Sequence, residues 1–230
     1  MKTPVSTPKE SFYLELCIQP IGSILKQRRV IFLHYLLTRN TSNMLYRFLL
    51  AQLNNPCRGD WTSKVQEDLT ELNINLTLEE IRRMKKALFI KLVKEKVAEY
   101  TFKVLLEQKA GHSKMGNLEY DDFEAQPYLK DEDITTEMAH NIFKFRTKML
   151  NIKENFKGTE ETTECPLCKK HLDSQSEIEK CEELSRYIKN VDECKKLYKD
   201  SSNVDAAKIL ANVIEHRESY LNTDEEENQE

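Results

Sequence analysis

Glycine and proline are scarce in this chain, at five and six among 230 residues. That scarcity excludes a sandwich of many short strands joined by tight turns and favours long helices. No apolar stretch is long enough to span a bilayer: the longest, Val30 to Leu37, is interrupted by His34. The N-terminus, with Pro4, Ser6, Pro8 and Lys9, lacks the apolar core of a secretory signal. There is no Gly-rich phosphate loop and no Gly-x-Ser-x-Gly turn, and the scattered histidines show no pairing at i and i+4. Six cysteines without a secretion signal point to reduced thiols or metal ligands rather than disulfides. These absences lead us to expect an intracellular protein, in nucleus or cytoplasm, with no membrane partner and no small-molecule substrate.

What the chain has in quantity is charge, and the charge is divided. Residues 1–116 carry 19 Lys and Arg against 11 Asp and Glu, while residues 117–230 carry 16 against 28, which together give the net charge of −4. A basic front half can contact phosphates, whereas the acidic run Asp224 to Glu227 would be repelled by them. Charge runs on helices are also common as ordinary solvated faces.

Apolar residues recur at helical spacing along most of the chain. From Ser23 the periodic positions are Ile24, Leu25, Arg28, Ile31, Phe32, Tyr35 and Leu36. A second helix is expected from Ser42 to Leu53, stopped by Asn54, Asn55 and Pro56, and Asp60 is placed to cap a third. Thr77 and Glu80 form a capping box ahead of a run that keeps helical spacing to Gln108. That run is long for one globular helix, so a bend is expected near residues 85–87. Further helices are expected at 136–150, 176–188 and 203–220.

Two groups of residues carry chemistry. Cys165 and Cys168 are separated by two residues, a spacing that lets both thiolates reach one tetrahedral zinc. Cys181 is the best third ligand. The fourth place is contested between His171, Glu177 and Cys194, with His171 favoured for its neutral imidazole. A metal-free hairpin packed through Leu167 and Leu172 is the alternative. The second group is basic: Lys26, Arg28, Arg29 and Arg39, interleaved with His34 and Tyr35, and then Arg82 and Arg83 at the head of a lysine-rich stretch. Cations interleaved with aromatics can grip a nucleic-acid backbone. Tyr120-Asp121-Asp122-Phe123 superficially matches the paired carboxylates of polymerases, but Glu119, Glu124 and Pro127 around it suit a polar loop better than a rigid catalytic hairpin.

Several phrases also follow one another in a telling order. Pro20-Ile21, Arg28-Arg29, Phe32-Leu33-His34 and Leu37-Thr38-Arg39 come first, then Ala51-Gln52, Asn55-Pro56 and Gly59-Asp60-Trp61. His112-Ser113-Lys114, Gln126-Pro127-Tyr128-Leu129-Lys130 and Cys165-Pro166-Leu167-Cys168 complete the series. Over about residues 8 to 185 this series resembles the C-terminal part of non-LTR retrotransposon reverse transcriptases. The resemblance implies a helical thumb or linker ending in a zinc knuckle, contact with RNA or DNA, and a polymerase palm lying upstream of this chain. It also implies that the chain is not itself an enzyme. Where the family places a knuckle histidine, this sequence has Glu177, which departs from the pattern.

The expected fold is mainly α: a helical bundle-like region, then a small cysteine-containing zinc-knuckle-like hairpin and terminal helices. The expected divisions are a basic helical region over 1–111, a linking loop and helix over 112–150, a degenerate knuckle region with helices over 151–222, and a disordered acidic tail over 223–230. The function expected is nucleic-acid binding without polymerase activity. The alternatives are a helical protein-interaction module or a non-functional retroelement remnant.

Overall fold

The computed structural model describes residues 8–55, 57–112, 115–116, 118–156 and 164–227. Pro56, Ser113 and Lys114 of the resemblance, residues 157–163 ahead of the cysteines, and the last three residues of the acidic tail lie outside the described residues. Nine α-helices are described: α1 (Lys9–Glu15), α2 (Ile21–Leu37), α3 (Met44–Asn54), α4 (Trp61–Glu71), α5 (Leu78–Arg83), α6 (Lys86–Ala110), α7 (Thr136–Arg146), α8 (Glu182–Tyr187) and α9 (Val204–Glu227). Short 3-10 turns fill several gaps, and one isolated antiparallel bridge joins Glu164 to Leu172. The chain is mainly helical, and no described helix is long and apolar enough to cross a membrane.

The chain divides into two compact units, residues 18–107 and residues 1–17 with 108–230. This differs from the division expected from sequence. Residues 8–17 belong with the C-terminal unit, and the helix expected to link two regions, α7, is part of that unit's core.

In the unit 18–107, polar side chains set the helix starts. Asn43 accepts from the Leu45 amide at 2.9 Å and Asp60 from the Ser63 amide at 2.7 Å. The Ser63 and Cys57 amides hold the Asp60 carboxyl well below its ordinary range. At α5 the capping box forms in full, with Thr77 Oγ1 accepting from Glu80 N at 3.2 Å and Glu80 accepting from Thr77 N at 2.7 Å. The expected bend is a complete break at Met84, whose backbone is extended. The freed Met84 carbonyl meets the ring of buried His34 at 2.9 Å, and that ring stacks on Phe89 with centroids 5.0 Å apart. Val30, Leu33 and Leu37 of α2 meet Phe89, Val93 and Val97 of α6 in one apolar core with Leu49, Val65 and Ile81.

In the other unit, the interior is built around charge. Glu15 and Arg146 are both essentially fully buried and lie 3.0 Å apart. Glu15 also accepts from Tyr120 Oη at 2.6 Å and Tyr128 Oη at 3.0 Å. Burial and the Glu15 charge push both phenols well above their usual values. Arg146 in turn donates to the carbonyls of Leu197 and Tyr198 and to Gln126 Oε1. A second buried pair, Asp173 with Arg217 at 2.7 Å, ties the cysteine-bearing hairpin to α9. Around these pairs Ile142, Phe145, Leu184, Leu197, Leu210 and Val213 form the apolar core.

Two sequence expectations change here. Residues 176–188 are not one helix but a 3-10 turn over Ile178–Lys180 followed by the short α8. The acidic tail expected to be disordered is helical as far as Glu227. Extending a helix already nucleated at Val204 costs far less than starting one, and glutamate is a good helix former.

Arg146→Ala leaves Glu15 buried without its cation. Removing one partner of such a pair costs about 3–5 kcal/mol. We expect a large drop in the urea midpoint for Arg146→Ala, and a smaller one for the double change Glu15→Met with Arg146→Met, which leaves no charge stranded.

Candidate metal centre and basic groove

Local backbone geometry builds the cysteine cluster. Cys165 opens a tight turn: its amide donates to the His171 carbonyl at 2.7 Å, and its carbonyl accepts from Lys169 N at 3.0 Å. Lys169 sits in the left-handed region at φ 54°. That reversal turns the Lys170 and His171 amides toward the Cys168 sulfur. Burial works to raise the Cys168 thiol, yet those two amides and the neighbouring thiols hold it below its usual value. Cys181 arrives from another segment, as the residue capping the start of α8. Burial pushes its thiol up to about 12, against the pull of the Leu184 amide.

The three sulfurs lie within 4.8 Å of one another. Cys165 and Cys181 are 3.9 Å apart, close to the roughly 3.8 Å edge of a tetrahedron with metal–sulfur bonds of about 2.3 Å. Cys165 and Cys181 are buried and Cys168 is half-buried, so one side of the cluster is open. Three thiols so placed can hold a metal ion, and the donor set suits a soft or borderline one.

The favoured fourth ligand does not join them. His171 is absent from the cluster, and it is its carbonyl that closes the turn on Cys165. Lys170, which donates to Glu182, holds that carboxylate below its ordinary range. Glu177 is ion-paired with Lys180 at 2.9 Å. Cys194 is a core residue, 5% exposed, whose thiol burial raises to about 12. The spacing of Cys165 and Cys168 announced the site, but no local signal tells which later residue returns to it.

The six cations singled out from sequence separate into different roles. Lys26 and Arg29 both reach Asp68, which is completely buried, at 3.3 and 2.6 Å, and Lys26 also pairs with Glu71. These two hold α2 to α4. Burial would lower the Lys26 ammonium, but Glu71, Tyr100 and Asp68 outweigh it and raise the value. Arg82 lies over the Tyr46 ring, 5.4 Å from its centroid, and Arg83 pairs with Glu79 at 3.0 Å along the same helix.

Arg28 and Arg39 behave differently. Both line a groove of about 540 Å³ on α2, together with Phe32, Tyr35, Met84 and Lys86. No carboxylate is among its lining residues. Arg39 packs its guanidinium on the Tyr35 ring at 3.7 Å. His34, interleaved in the sequence pattern, is buried beneath the groove and bonded to Met84. Lys86 belongs to the lysine-rich stretch seen in the sequence, but only the break at Met84 brings it round to Arg28 and Arg39 on α2. The acidic pair Asp121 and Asp122 lies exposed in a bend, consistent with a polar loop.

Compared with protein-family models, with curated proteins and with solved structures, the chain matches none of them.

If the three-thiol cluster binds metal, the purified chain should carry about one equivalent under reducing conditions. Cys165→Ser, Cys168→Ser and Cys181→Ser should each abolish retention in metal analysis, while Cys194→Ser should keep it. Retention should fall as pH drops, since protons compete for the thiolates. Equal loss in the Cys194 variant would show that the fourth ligand lies there.

Proposed function

We propose that this chain is a non-catalytic nucleic-acid-binding protein, related to the region that follows the palm of non-LTR retrotransposon reverse transcriptases. The observation that carries this reading is the groove on α2, where Arg28, Arg39 and Lys86 converge without a carboxylate. Among the described residues none of these three forms an ion pair, so their charge is available to phosphates. The surrounding unit supports the reading: residues 18–107 hold 15 Lys and Arg against nine Asp and Glu, a net +6. The remainder of the chain holds 20 against 30, a net −10, so the two together give −4.

We further propose zinc as the metal at Cys165, Cys168 and Cys181. Three thiolates suit it, and water or a reoriented His171 can supply the fourth position. In that role the ion is structural, fixing the turn to the start of α8.

A second reading has one observation in its favour. On α3, Met44 is 82% exposed and Phe48 61% exposed, an apolar surface that a protein partner would cover. Salt separates the two, because counterion release makes phosphate binding weaken steeply with ionic strength while apolar contact does not.

Fluorescence anisotropy with labelled oligonucleotides across a salt series tests the proposal. Arg28→Glu and Arg39→Glu should each weaken binding uniformly across sequences and flatten the salt slope by about one for each phosphate no longer neutralised. Lys26 and Arg29 substitutions should instead lower thermal stability, by stranding Asp68. Binding indifferent to both reversals in the groove would end this reading.

A further inference from the structure

We infer that the α2 groove takes an unpaired nucleic-acid strand in preference to a duplex, by stacking bases on Phe32 and Tyr35; this rests on the nucleic-acid reading above. Arg28, Phe32 and Tyr35 recur at helical spacing on α2, and Arg39 follows just after its C-cap, Thr38. One stripe therefore runs cation, aromatic, aromatic, cation. The helical rise separates Arg28 from Tyr35 by about 10 Å along the axis.

The two rings are nearly parallel, 15° between planes and 5.6 Å between centroids. They are exposed for large aromatics, Phe32 at 44% and Tyr35 at 37%. Trp61 meets Phe32 edge-on at 5.7 Å and steadies it from the side. Arg39 is held against Tyr35 by stacking, and its Nε is buried with no hydrogen-bond partner.

A duplex cannot use such a surface. Its base faces are covered by their neighbours, so only the cations could engage its phosphates. A single strand offers both phosphates for Arg28, Arg39 and Lys86 and open base faces for the rings, and stacking of this kind tolerates any sequence. Aromatics flanked by unpaired cations are the arrangement this chemistry requires. A purely electrostatic duplex surface would have no use for two exposed rings.

The chain carries its own reporter, because Trp61 is its single tryptophan and meets the ring of Phe32, which lines the groove. The full chain is titrated with an unstructured DNA strand, the matching RNA strand, and the duplex of the DNA strand with its complement, at one salt concentration. Anisotropy of labelled strands and Trp61 emission are read together. We expect either strand to bind roughly tenfold tighter than the duplex, and only the strands to change Trp61 emission. Tyr35→Leu should remove most of that difference by weakening strand binding more than duplex binding, and Tyr35→Phe should preserve it. Arg28→Glu should weaken strand and duplex alike.

Strand and duplex bound equally, with Trp61 emission unmoved in the unaltered chain, would overturn the inference while leaving nucleic-acid binding intact. No binding of any strand or duplex would defeat the nucleic-acid reading itself, and the inference with it. The tryptophan signal needs no substitution, so misfolding of the leucine variant cannot blur the result.

Discussion

The ion pair between Glu15 and Arg146 organises the unit formed by residues 1–17 and 108–230. Two charges without solvent are costly unless every lone pair and proton finds a partner. Here the carboxylate accepts from the guanidinium and from two tyrosines, and the guanidinium reaches the Leu197 and Tyr198 carbonyls and Gln126. The network thereby joins α1, the 120–128 loop, the end of α7 and the 3-10 stretch at 191–198. Apolar contacts alone would allow these segments to slide, whereas directed hydrogen bonds admit one arrangement. Asp173 and Arg217 do the same for the hairpin that carries Cys165 and Cys168.

The cysteine cluster depends on that frame in a specific way. Its first two sulfurs are placed locally, by the turn from Cys165 to His171 with a left-handed residue in the middle. Its third comes from the start of α8, whose position is set by the packing of Leu184 in the apolar core. The site is thus half local and half tertiary. A bound ion would join the two halves and add to a fold that is already connected through Asp173.

Charge in the unit 18–107 obeys a simple division. A buried carboxylate, Asp68, draws Lys26 and Arg29 inward, where they hold two helices together. Arg28 is turned from Arg29 by about 100° around the helix axis, and there it meets no acid. Side chains of one type, adjacent in sequence, therefore do opposite things. The decisive residue is Asp68, about forty positions away.

The sequence by itself determined the helical class, the starts capped by Asp60 and Thr77, a bend near residues 85–87 that the structure makes a full break, and the pair Cys165 and Cys168. Each is set by residues within a turn or two of one another, where periodicity, capping and ligand spacing act directly. The tertiary structure decided the rest: that α1 joins the C-terminal unit through Glu15, that Cys181 completes the thiol cluster while His171, Glu177 and Cys194 stay out of it, and that Arg28 and Arg39 remain available while Lys26 and Arg29 do not. Those outcomes turn on partners far away along the chain, and a buried charge finds its partner only once the core has closed around both.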